Sequence, residues 1–188
     1  MSCTVLCSSG LPVSFFVSKA YRDNRFYDVK IKYKGQNSMT NEEFKVLLEM
    51  KKYFELTQIT LPAPGEKLEK PFKIRSESTK DIFFLDVDRN GRFSLTKKKL
   101  QERHGNSSTI MFRLEIDCRP HMFSDGHLSS RNHIHIFDEN GTKTYDLAEE
   151  YGKLFPNTDD FVTLFYDFCH MCNIDTRNVT ITRCDVNE

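Results

Sequence analysis

Tryptophan is absent from this chain of 188 residues, and so is net charge, with 27 Lys and Arg set against 27 Asp and Glu. Balanced charge excludes a global electrostatic footprint for nucleic acid or an anionic membrane, so any basic surface has to be local. Cysteine is sparse. The six are Cys3, Cys7, Cys118, Cys169, Cys172 and Cys184, too few and too irregular for a disulfide scaffold, which fits a reducing cytoplasm. No apolar run is long enough to span a bilayer, and export is not expected because the start lacks a basic segment and Pro12 splits its apolar stretch. Walker-type glycine loops, GxSxG elbows, HExxH helices and internal repeats are also missing. What remains is ample core material: hydrophobic residues make up 38% and phenylalanine occurs 16 times, enough for one ordinary domain.

The spacing predicts a helix over about 40 to 56, where Thr40-Asn41-Glu42-Glu43 can form a capping box ahead of Phe44, Leu47, Leu48 and Phe54. Residues 1–38 read as an appendage, in which Arg25 to Gly35 alternates like a strand of an extra hairpin or edge. Leu61-Pro62-Ala63-Pro64-Gly65 is a connector. An antiparallel meander follows. Ile82 to Asp88 is a strand, Asn90-Gly91 a turn signal, and Arg92 to Leu95 the start of the return strand. Thr109 to Asp117 sets Phe112, Leu114 and Ile116 against Met111, Arg113 and Glu115. Asn132 to Asp138 sets Ile134 and Ile136 against His133, His135 and Phe137, and Asn140-Gly141 turns the chain into Thr142 to Leu147. A second helix is predicted over about 158 to 172, capped by Asn157 or Thr158, and a last strand, Val179 to Arg183, joins an edge. The expected fold class is α+β: a curved antiparallel meander of about five to seven strands flanked by two helices, forming one domain over 39–188.

Chemistry-bearing residues concentrate between Arg113 and His135, where four of the six histidines fall. Alternation puts Arg113, Glu115, His133 and His135 on one sheet face, with His121 and Asp125 on the loop beside it. Three chemistries suit this set. Two imidazoles, His121 with His133 or His135, can serve as general base and acid in RNA cleavage, with Arg113 stabilising charge and Glu115 holding a tautomer. His133 and His135 project to the same side of a strand, which leaves open a divalent metal shared with His121 and Asp125. The cluster can also be a polar binding surface without chemistry. The basic residues Lys97, Lys98, Lys99, Arg103 and Arg119 are the candidates for RNA or partner binding, against the plain reading of solvated charge. Cys169-His170-Met171-Cys172 has CxxC spacing, but on a predicted helix beside a phenylalanine stripe its cysteines read as small buried hydrophobes.

Met39 to about Thr182 resembles a family of uncharacterised proteins common in phages and mobile elements of Gram-positive bacteria. The resemblance rests on Met39-Thr40-Asn41-Glu42-Glu43, Leu61-Pro62-Ala63-Pro64-Gly65, Phe84-Leu85-Asp86-Val87, Gln101-Glu102-Arg103, Arg113-Leu114-Glu115, Pro120-His121, Asp125-Gly126, His133-Ile134-His135 and Cys172-Asn173-Ile174. The family's loop reads P-H-x-N-P-D-G, and here Phe123 and Ser124 stand in place of its Asn and Pro. The P-H and H-x-H pattern is also similar to that of small ribonuclease toxins. These resemblances imply a metal-independent, histidine-dependent RNA-cleaving protein in the cytoplasm of a bacterial host, toxin-like or an anti-CRISPR acting on the guide RNA of Cas9. The alternatives are a non-enzymatic inhibitor that binds Cas9 or another nucleoprotein, and a metal-binding protein. Cofactors are not required by the first reading, and no membrane partner is expected.

Overall fold

The computed structural model describes residues 39–91, 94–105, 108–123 and 126–183, with the side chains of 149–150 excepted, together with the backbone of 16–22 and 25–31. In the appendage, β1 (Phe16–Arg22) and β2 (Arg25–Ile31) pair antiparallel as a two-stranded sheet of their own.

Helix α1 spans Asn41–Glu49. Its capping box is present: the Thr40 hydroxyl accepts from the Glu43 amide at 3.1 Å, and the Glu43 carboxylate accepts from the Thr40 amide at 2.8 Å. Thr40→Ala is expected to lower stability by about 1 kcal/mol, measured by urea unfolding. The helix stops well short of the predicted residue 56 because Met50 is extended and Lys52–Phe54 forms β3 instead. Phe54 fits either periodicity, but β3 finds backbone partners on both sides, pairing antiparallel with β5 (Phe72–Ser76) and parallel with β11 (Ile174–Asp175). Tertiary pairing thus overrides local helical spacing.

The meander continues through β6 (Ile82–Asp88), β7 (Lys98–His104), β8 (Ile110–Ile116), β9 (His133–Ile136) and β10 (Lys143–Asp146). The principal sheet is open and eight-stranded, in the order β10-β9-β8-β7-β6-β5-β3-β11, antiparallel except at β3–β11. The expected α+β class holds, with more strands than predicted. The last strand, β12 (Thr180–Arg183), pairs parallel with β4 (Gln58–Leu61) in a separate two-stranded sheet rather than joining the edge of the main one. The return from β6 also differs from the predicted tight turn: Asp88 pairs with Lys99 and the strand resumes at Lys98, with Ser94 and Leu95 outside it, while Arg92 and Phe93 lie outside the described residues.

Helix α2 (Phe161–Met171) begins at an Asp160 cap, its carboxylate accepting from the Thr163 amide at 3.0 Å. Neither predicted cap, Asn157 or Thr158, serves: Asn157 instead accepts from the Asp159 and Asp160 amides and closes the turn before the helix. The helix buries Phe161, Leu164, Phe165, Phe168 and Cys169, with Phe165 packed against Phe54 and Phe72. This side of the sheet is the core, built also from Phe83, Leu85, Val87, Leu100, Phe112, Leu114 and Ile134. The alternate residues of β7, β8 and β9 therefore face away from α2. Phe137 does not join them, because β9 ends at Ile136 and the Phe137 ring packs 5.5 Å from Phe44 of α1. Among the described residues no helix is long and apolar enough to cross a membrane.

Candidate metal centre

Strand pairing sets the floor of the site. Glu115 of β8 lies directly opposite His133 of β9, and Arg113 opposite His135, with Lys99 and Gln101 of β7 across from Glu115 and Arg113. All project from the face away from α2, as alternation predicts. The chain then leaves β8 through Asp117, whose φ of 51° is a left-handed conformation that Asp tolerates. The loop from 118 to 132 is pinned at its neck. The Asn132 side chain accepts from the Asp117 amide at 2.9 Å, the Arg131 carbonyl from the Cys118 amide at 3.0 Å, and Arg131 pairs with Asp117 at 2.6 Å. Hydrogen bonds from Ser94 and Thr96, with Arg131 beside it, hold the Asp117 carboxyl down to about 2.

Beyond the neck the loop doubles back. The His121 amide donates to Ser129 Oγ at 2.9 Å, the Ser129 amide donates to the His121 carbonyl at 2.8 Å, and Met122 bridges to Leu128. This returns the His121 ring onto the sheet face, where three imidazoles meet one carboxylate. His133 Nε2 lies 3.2 Å, His121 Nε2 3.3 Å and His135 Nε2 3.8 Å from Glu115 Oε2. The rings stand edge-to-face with centroids 4.7 to 5.0 Å apart. One donor atom from each of the four residues lies within 4.8 Å of all the others. His133 is fully buried and His135 and Glu115 nearly so, while His121 keeps 47% of its side chain exposed.

The far nitrogens of the buried rings are held. His133 Nδ1 sits 2.9 Å from the Ser130 carbonyl, and His135 Nδ1 2.8 Å from Thr144 Oγ1 on β10. A carbonyl only accepts, so His133 carries a proton on Nδ1 and turns Nε2 to the cluster. His135 Nε2 is buried without a hydrogen bond. Burial also pushes the His135 pKa down, against the pull of Glu115. Burial alone would raise the Glu115 carboxyl, but His133, His135 and the Lys99 ammonium outweigh it and hold the group well below the usual carboxylate range.

Of the residues singled out in the sequence, Glu115, His121, His133 and His135 come together. Arg113 stands beside them, its Nε donating to Gln101 at 2.8 Å and lying 4.0 Å from Glu115. Asp125 lies outside the described residues. Lys97, Lys99 and Arg119 line a groove above the cluster. Lys98 does not: it alternates inward and bonds the Thr158 carbonyl at 2.6 Å. Arg103 shares the outward face but is tied to Asp86 at 2.9 Å and stacked 4.6 Å over Phe84, away from the groove. The local sequence of the basic run carried no hint of this division; only the register of β7 does. Ser130 and Thr144 were missed. Thr144 had a signal, since it sits at an alternate position on a hairpin partner of His135, whereas the Ser130 carbonyl had none. Cys169 and Cys172 are buried in the core, where desolvation pushes both thiols well up. Neither belongs to a group of possible metal ligands among the described residues.

Residues 39–174 match the sequence pattern of the family of unknown function DUF6978. The chain belongs to that family. The DUF6978 segment contains all four converging donors and both of the groups that hold their far nitrogens, and leaves residues 1–38 outside it. No curated protein and no solved structure matches the chain significantly.

Proposed function

We propose that Glu115, His121, His133 and His135 form a mononuclear divalent metal centre, and that this member of DUF6978 is a metal-dependent protein whose chemistry takes place at the groove above it. The observation that carries the reading is the convergence of three Nε2 atoms on a single carboxylate oxygen, with the opposite nitrogen of the two buried rings already engaged by protein. Lone pairs facing a carboxylate repel unless a proton or a cation lies between them. His121 and His135 can each turn an Nε2–H to the carboxylate as neutral rings, but His133, with its proton on Nδ1, can do so only as a fully buried imidazolium, which burial penalises. One divalent ion satisfies all four donors at once. Metal–nitrogen distances of about 2.0–2.1 Å need donors a few ångströms apart, which this cluster supplies.

Three imidazoles and one carboxylate suit zinc and the neighbouring first-row transition ions rather than calcium or magnesium. Nδ1 bonds from ligating histidines to a carbonyl and a hydroxyl are the outer contacts that orient such ligands. The half-exposed His121 leaves the centre open toward the groove, where an ion supplies Lewis acidity to a bound substrate. A paired imidazole acid and base for RNA cleavage draws less support. The buried His133 and His135 both turn their free nitrogens to the same carboxylate, and neither lines the open groove.

Loading the chelator-stripped chain with zinc, manganese, iron, cobalt or nickel and measuring bound metal by elemental analysis tests the reading. One ion per chain is expected, with a rise in thermal midpoint of about 5–10 °C at a hundredfold excess over Kd. Failure of every ion to bind stoichiometrically would overturn it.

A further inference from the structure

The groove above the four donors is open, has a volume of about 780 Å³ and is lined by Lys97, Lys99, Arg119, Pro120, Met122 and Leu128, with Glu115 and His121 at its base. Its walls differ in character. Lys97, Lys99 and Arg119 bring positive charge, whereas Pro120, Met122 and Leu128 are apolar, with Met122 74% and Leu128 55% exposed where the loop doubles back.

The charges at the base do not balance. Lys97 is matched by Asp88 at 2.9 Å. Among the described residues Glu115 alone answers both Lys99, at 3.6 Å, and Arg113, at 4.0 Å, through the oxygen that the histidines leave free. Arg119 is exposed and makes no ion pair among the described residues. Among the described residues one carboxylate therefore answers two cations even before a divalent ion adds its own charge, and Lys99 and the exposed Arg119 bring positive charge into a groove with a partly buried floor. An anion with several oxygens relieves that excess, and the phosphoryl group is the common ligand that both accepts from Lys and Arg and coordinates a metal. The apolar wall of Pro120, Met122 and Leu128 supplies a surface on which a flat ring can bury one face by van der Waals contact.

We infer that this groove binds a nucleoside phosphate ester, the phosphate against Lys99, Arg119 and the metal, and the base against Met122 and Leu128. The metal contact rests on the reading given above; the cationic wall does not. The shared chemistry is a nucleotide phosphate, supplied either by a free mononucleotide or by an RNA strand.

The test is calorimetric titration of the full chain, with and without zinc, using adenosine 5′-monophosphate, adenosine and a short oligoadenylate. Adenosine 5′-monophosphate is expected to bind, adenosine to bind at least about 10-fold more weakly, and Arg119→Ala to weaken monophosphate binding by about 10-fold while retaining one zinc per chain. Tighter binding of the oligoadenylate, with a steep loss in salt, supports the same site and identifies a strand as its source. Zinc binding with no preference for the phosphorylated ligand would overturn the inference and leave the metal centre standing. Absence of zinc binding would sink the metal centre alone, and a phosphate preference of the zinc-free chain that is lost in Arg119→Ala would still sustain the anion site.

Discussion

Replacing His133 with Ala is expected to weaken zinc binding by more than about 100-fold, while Thr144→Val weakens it by about 10- to 100-fold. The difference follows from position. His133 offers its Nε2 directly to the cluster from a fully buried ring, so its loss removes a donor and leaves a void that water cannot fill with equal geometry. Thr144 touches the cluster only through His135 Nδ1, at 2.8 Å, so its loss frees a ring to rotate without removing a ligand. Competition against a chromophoric chelator measures both affinities, and far-ultraviolet circular dichroism checks that each variant keeps its sheet. Equal zinc affinity in wild type and His133→Ala, with the fold intact, would refute the assignment of that ligand.

The second large effect lies on the other side of the sheet. Lys52 of β3 and Glu102 of β7 are both fully buried, and their charged ends meet at 3.1 Å across Phe83 of β6, with the Lys52 ammonium 4.8 Å from that ring. The ammonium also donates to the Cys172 carbonyl at 2.7 Å, so a cation caps the C-terminal end of α2 and ties it to the sheet. Removing one member leaves the other without its counter-charge in the core. Lys52→Met or Glu102→Leu is therefore expected to cost about 3–5 kcal/mol in urea unfolding, whereas the double substitution restores wild-type stability or exceeds it by about 1–4 kcal/mol. Additive losses in the double variant would show that the two groups do not act as a pair.

Alternation made the site legible in the sequence. The placement of Arg113, Glu115, His133 and His135 on one face needed only strand periodicity, and the register puts Glu115 opposite His133. The return of His121 from the loop was anticipated as proximity, but its hairpin with Ser129 depends on hydrogen bonds that no periodic pattern announces. The errors share one cause. Phe54 and Phe137 were each assigned by extending a local pattern past the point where tertiary contacts took over: β3 found sheet partners and Phe137 found Phe44. The Lys52–Glu102 pair was invisible because its members are fifty residues apart in sequence and meet over a strand belonging to neither.

Three of the four converging donors are brought together by the pairing of β8 with β9, across a loop of sixteen residues between Ile116 and His133. Before that pairing forms, an unfolded chain offers an ion the His133 and His135 side chains but places neither Glu115 nor His121 beside them. Tight metal uptake therefore has to follow closure of these two strands during folding. A bound cation would then act as a latch on the β8–β9 pairing, slowing its opening more than its formation.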